Sequence, residues 1–161
     1  MLRNILVLVL LCVAVVLAQV EPVKPIESLD VARYMGRWFE ISRYKNSFQN
    51  KCVASAQADY SLRKDGKVTV VNQCLTETGE MSIAKGVARQ VGPSTSAKLE
   101  VSFAPEWTHF LPFVWGDYWV VDLDKDYSLA AVSEPKREFL WVLSRTPKVD
   151  PAQYEALLAR L

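Results

Sequence analysis

Imidazole chemistry needs a histidine set among partners, and this chain has one, His109, alone in the apolar stretch APEWTHFLPFVW over 104–115. There is no G-x-S-x-G elbow to present a serine and no C-x-x-C pair to run thiol exchange or grip a metal. Asp122, Asp124 and Asp126 imitate the start of a calcium loop, but Tyr127 stands where the sixth position requires glycine, and no acid occupies the twelfth. We read those acids as a solvated turn and expect no metal and no cofactor. Glu40, two residues beyond Trp38, is the one carboxylate placed for burial on a strand, and a buried carboxylate is a candidate acid or base. Its expected part is a hydrogen bond near the barrel floor or to a ligand, and no residue is assigned a catalytic role.

Binding has better material. Side chains alternate across a strand, so the run from Cys52 to Tyr60 sets Cys52, Ala54, Ala56, Ala58 and Tyr60 on one face. Three alanines ending at a tyrosine form a wall short of bulk, where a filled core would carry Val, Ile or Leu. The next segment puts Val68, Val70, Asn72 and Cys74 on one face, and FLWVLSR puts Phe139, Trp141, Leu143 and Arg145 together. These residues predict an interior with room for a small molecule, apolar except for a few hydrogen-bonding groups.

The elements that must hold them are strands. Eight segments alternate, over 36–44, 53–62, 67–75, 80–90, 97–103, 117–123, 127–133 and 139–145. Turn chemistry separates them at Lys64-Asp65-Gly66, Thr78-Gly79, Gly92-Pro93 and Asp124-Lys125-Asp126. Short connections imply an antiparallel meander, and eight such strands close into an all-β up-and-down barrel wide enough for one small ligand. Asp30 caps a helical turn before the first strand, and Asp150-Pro151 opens a C-terminal helix. The Tyr154, Leu157, Leu158 and Leu161 face of that helix should pack on the barrel's outside.

Residues 1–18 place Arg3 before an apolar run from Ile5 to Leu17 and end at Ala18. That order predicts a cleaved secretory signal, since the run is shorter than the roughly 20 residues that span a bilayer. Cys12 has no small residue beside it, so a lipid anchor is not expected. Residues 19–28, with Pro22 and Pro25, form an extended lead-in to a single domain over 29–161. Of 19 basic side chains only Arg3 leaves with the leader, so 18 face 18 acidic ones. A chain with no net positive field lacks the footprint of a nucleic-acid binder.

Export is expected to deliver the protein to a secreted or periplasmic space, where its two remaining thiols, Cys52 and Cys74, predict one disulfide. Strict pairing across the Lys64–Gly66 turn would offset them by about three residues, so a bulge is required to bring them to bonding distance.

Arg145 and Trp38 fall at one end of the barrel, where a guanidinium on indole gains ~1 to 2 kcal/mol and plugs the floor. In 104–115, Trp107, Phe110, Phe113 and Trp115 exceed what a solvated loop needs. They should mark the barrel mouth, either folded over it as a gate or offered to a membrane or partner.

Gly36-x-Trp38, Gly116-Asp117-Tyr118 and Leu143-Ser144-Arg145, in that order and with flanks such as YMGRWFEISRY and FLWVLSRTP, resemble the lipocalins. The likeness is to the branch that includes bacterial lipocalin and apolipoprotein D, over about 29–161. The resemblance implies a calyx closed at Gly36, Trp38 and Arg145, with Tyr60, Asn72 and Trp141 contacting ligand. It places the 45–52 and 104–115 loops at the open end. It does not carry over an outer-membrane lipid anchor, because Cys12 lacks the context, nor an extended strap beyond the helix.

The expected function is carriage of a small hydrophobic or amphiphilic ligand, such as a fatty acid, lysophospholipid or sterol-like molecule. The carrier should be a monomer or weak dimer that is not an enzyme. The alternatives are a calyx enzyme acting on lipid through Glu40, and an adaptor that meets a membrane surface or a partner through 104–115.

Overall fold

Alternating side chains from Gly36 onward do form eight strands: β1 Gly36–Arg43, β2 Cys52–Leu62, β3 Val68–Thr76, β4 Met81–Gln90, β5 Lys98–Ser102, β6 Gly116–Leu123, β7 Leu129–Ser133 and β8 Leu140–Ser144. Each pairs antiparallel with the next and β8 returns to β1, which leaves the sheet without an edge. A computed structural model describes residues 22–161, so the leader expected over 1–18 and the first residues of the lead-in lie outside the described residues. One short helix, α1 Val31–Tyr34, precedes the barrel, and α2 Pro151–Leu158 follows it.

One end is sealed by the lead-in and α1. Ile26 N–H donates to Val120 O at 2.9 Å and Leu29 N–H to Thr95 O at 2.8 Å, which lays this segment against β6 and the β4–β5 turn. Asp30 caps α1 by accepting from Arg33 N–H, and its own N–H donates to the Tyr127 hydroxyl at 3.0 Å. Inside this cover Trp38 is fully buried, its indole N–H donating to Tyr34 O at 2.9 Å. The Arg145 guanidinium lies 3.9 Å from the Trp38 ring centre on the outer side. Its nitrogens donate to the carbonyls of Tyr127, Arg37 and Arg33 at 3.1, 2.9 and 2.9 Å. Gly36 makes the approach feasible: its φ is +95°, and a Cβ there would stand 3.3 Å from Arg145 Nη1.

Bulk is shared unevenly around the barrel. Leu29, Tyr34, Trp38, Leu99, Val120, Val132 and Leu143 pack together above the sealed end. On the outer face Leu157 of α2 is fully buried against Leu129, Ala131 and Val142, with Tyr154 beside it. The expected helix face is thus only half used, since Leu158 and Leu161 stay 37% and 38% exposed. α2 ends at Leu158, and beyond it Arg160 pairs with Asp122 of β6 at 2.7 Å.

β2 is irregular between Cys52 and Gln57, where Ser55 takes a φ of +53°. The irregularity brings Cys52 to Cys74, and the two form a disulfide with Cα atoms 5.5 Å apart. It also breaks the alternation. Ala54 is exposed and absent from the inner wall, against the expectation from strict parity, because the register shifts on both sides of it and turns it out, while Cys52 stays on the cavity face.

Replacing Arg145 removes both the ring contact and three hydrogen bonds. Arg145→Gln should lower unfolding free energy by about 2 kcal/mol or more, and Arg145→Lys by less, as measured by denaturant titration. Equal stability of all three proteins would show that the guanidinium does not hold the sealed end.

Candidate functional site

Between the sealed end and the opposite loops lies a cavity of about 730 Å³. β2, β3 and β4 supply most of the strand residues in its wall, running to 11, 9 and 10 residues where β5, β7 and β8 have five each. Ala56 and Ala58 of β2 face Ala84 and Ala88 of β4 across β3, with Val70, Leu99 and Val101 completing the apolar middle. Register places Asn72 directly between Ala58 and Ala84. With methyl groups on both sides, Asn72 Oδ1 is buried without a hydrogen-bond partner among the described residues. A buried acceptor left unmade costs about 1 to 3 kcal/mol, and Asn72 borders the cavity, so a half-turn of its amide would offer that oxygen to a ligand donor.

Toward the open end the wall turns aromatic. The Phe139 and Trp141 rings stack at 5.8 Å, and Phe48 meets Phe139 edge-on at 5.4 Å. Their positions are fixed by polar contacts behind them. The Trp141 indole N–H donates to Gln49 Oε1 at 2.9 Å, and Gln49 Nε2 donates to Glu40 Oε2 at 2.8 Å. The other Glu40 oxygen is paired with Arg43, which also donates to Cys52 O at 3.2 Å. Glu40 therefore lines the cavity near the open end rather than at the floor, because the side chains that hold it come from the end of β1 and the loop after it. Lys51 and Lys136 are the cationic side chains of the lining, both from loops at this end.

The floor is built from three phenols. The Tyr118 hydroxyl lies 3.0 Å from that of Tyr34 and 3.1 Å from that of Tyr60, while the Tyr34 and Tyr60 rings stack at 5.9 Å. Burial pushes the Tyr60 hydroxyl up to about 12, and holds Tyr34 and Tyr118 well above the ordinary tyrosine value. Parity alone had brought Tyr60 inward. Tyr34 and Tyr118 were missed, although Tyr118 follows Gly116 at the two-residue spacing of an inward face.

Trp38 and Arg145 close the floor without touching the cavity. Ala56, Ala58, Tyr60, Val70, Asn72, Phe139, Trp141 and Glu40 line it, and Ala54 does not. The mouth residues divide. Leu99 and Val101 point inward, so Glu100 and its partner Arg89 point out, and the Trp115 ring lies on Arg89 at 4.0 Å from its centre. His109 packs on that ring at 4.6 Å, and Arg63 holds Glu106 at 2.9 Å. The 104–115 loop is thereby bound along the outer wall. Val114 and Trp115 border the cavity, whereas Trp107, Phe110 and Phe113 are 77–79% exposed and border none of it. The gate expected from these aromatics is not formed; of the two placements, outward presentation is the one adopted.

Comparison with known proteins follows the geometry. A family model described as a lipocalin-like domain matches residues 29–161. The outer membrane lipoprotein Blc of Vibrio cholerae is 41% identical over 132 residues, covering 81% of this chain and 72% of that protein. Apolipoprotein D of Mus musculus is 36% identical over 132 residues, covering 78% and 65%. Among solved structures, insecticyanin of the tobacco hornworm Manduca sexta superposes with a TM-score of 0.63 over 86% of this chain and 75% of that one. At 17% identity it shares the fold.

The buried phenols give the site a pH signature. A group whose folded-state pKa is raised binds its proton more tightly when folded, so its contribution is complete below about pH 10 and is lost as pH rises toward the folded value. Stability should therefore fall from pH 10 through 12, and tyrosinate absorbance should leave at least three of the six tyrosines protonated until unfolding begins. All six ionising together near pH 10 in folded protein would contradict the buried floor.

Proposed function

The chain belongs to the lipocalin family, and from that premise we propose that it carries a small hydrophobic or amphiphilic molecule in the barrel, of the size of a fatty acid, lysophospholipid or sterol. One observation carries the reading: an interior of about 730 Å³ left open by alanines at 56, 58, 84 and 88, with one buried unpartnered acceptor among the described residues, at Asn72. Each methylene moved from water into such a wall contributes about 0.8 kcal/mol, so an acyl chain supplies the affinity. Asn72 and Tyr60 then orient whatever oxygen the ligand bears.

Carriage rather than turnover is supported by the state of Glu40. Both of its oxygens are engaged, one by Arg43 and one by Gln49, so it is held as part of the wall behind Trp141. The exposed Trp107, Phe110 and Phe113 favour loading or release at a lipid surface, where indole and phenyl rings partition into the interface. A place outside the cytoplasm is supported by the Cys52–Cys74 disulfide, by the leader, and by the likeness to a protein named an outer membrane lipoprotein.

Filling the cavity tests the reading. Ala58→Phe places a ring in space the wild type leaves empty, so folding should persist while affinity for a fluorescent fatty acid falls at least about tenfold, or 1.4 kcal/mol. Trp107→Ser with Phe110→Ser should keep cavity binding and reduce flotation with liposomes. Fatty acid binding by Ala58→Phe at wild-type strength would remove the barrel interior as the site.

A further inference from the structure

The floor of the cavity has a hydrogen to spare. Tyr34, Tyr60 and Tyr118 bring three hydroxyl hydrogens to two contacts, Tyr34 to Tyr118 and Tyr118 to Tyr60. However the two bonds are directed, they use two hydrogens and leave the third without a partner among the described residues. Tyr34 is 1% exposed, locked against Trp38, whereas Tyr60 and Tyr118 keep part of their surface, and that surface borders the cavity. The free hydrogen can pass to whichever phenol needs it, because reversing the two bonds moves it along the row.

Charge is excluded from the same place. The nearest cation, Arg145, lies behind the Trp38 ring, and neither residue borders the cavity. Its nitrogens already donate to three backbone carbonyls. A carboxylate lowered to the floor would feel Arg145 only through the Trp38 ring and would have no cation to contact, and a buried charge without a contacting partner is far more costly than an unpaired dipole. Lys51 and Lys136, the cations that do border the cavity, come from the loops at the other end.

We propose that this floor is a subsite for an uncharged oxygen, a ketone, aldehyde or ester carbonyl at the leading end of the ligand, with any anionic head left at the mouth. The inference rests on the carrier reading and adds a polarity to it: the cavity prefers molecules oxygenated at the end that enters first. From Cys52 to Tyr60 is eight residues of β2, about 20 Å of depth at the usual strand tilt, which a sixteen-carbon chain spans.

The test uses the full chain with hexadecanoic acid and with the analogue carrying a ketone one carbon from its far end. In wild type, the infrared stretch of a carbon-13-labelled ketone should move to lower frequency than in hexane, as for a hydrogen-bonded carbonyl. In Tyr60→Phe with Tyr118→Phe, the affinity ratio of keto acid to plain acid should fall about tenfold relative to wild type. The wild-type spectrum stands on its own should the double variant fail to fold. A free-carbonyl frequency in wild type, or a ratio that moves less than twofold, overturns the subsite while leaving the carrier reading intact. Failure of both acids to bind wild type overturns both.

Discussion

A guanidinium laid on an indole decides which way this barrel faces. Eight strands can close in a ring with both ends open, and a tube admits water from either side. Here Arg145 covers the outer face of Trp38 while fastening the carbonyls of Arg33, Arg37 and Tyr127, which belong to α1, β1 and the β6–β7 turn. One side chain thus joins two neighbouring segments at the start of the domain to a turn far along the chain and makes one end blind. Everything polar that follows depends on that blindness, because burial holds the Tyr34, Tyr60 and Tyr118 hydroxyls protonated above the ordinary tyrosine range only if water cannot reach them from below.

A blind barrel would ordinarily be filled. Alanines at 56, 58, 84 and 88 leave it unfilled, and the stability forgone is recovered elsewhere: in the packed cluster around Trp38, in α2 on the outer face, and in the Cys52–Cys74 link. The division is spatial. The cavity lies along the long strands β2, β3 and β4, while β7, buried at every position, contributes none of its residues to the lining. Val70, Leu99 and Leu143 serve both, packed in the core clusters and lining the cavity, while the β7 side is filled and need not be weakened by the void.

What the sequence disclosed followed from geometry that acts over a few residues. Alternation turned Tyr60, Asn72, Phe139 and Trp141 inward because nothing interrupts β3, β8 or the second half of β2. It misplaced Ala54 because Ser55, with no glycine to announce it, takes a positive φ, although the offset between the cysteines did require an irregularity somewhere. The Tyr34–Tyr118 contact joins residues 84 apart, from α1 to β6, and no local spacing encodes it. The aromatic loop was conspicuous in composition, but its direction is set by Arg89 under Trp115 and Arg63 against Glu106, pairs that only the closed barrel assembles.

The two unmatched polar groups constrain each other. Asn72 Oδ1 offers an acceptor midway up the wall, and the phenol row offers a donor at the floor, with alanine, valine and leucine side chains around and between them. A wholly apolar occupant would strand both groups, at a cost of about 1 to 3 kcal/mol each, and would forfeit the benefit of several buried methylenes. A strongly polar occupant would lose its own hydration to walls that cannot replace it. The free energy is lowest for a mostly apolar molecule that presents a hydroxyl or amide hydrogen partway along and an oxygen at its tip. The cavity is therefore permissive about shape, since methyl groups accept rings and chains alike, and restrictive about where along the ligand its few heteroatoms stand.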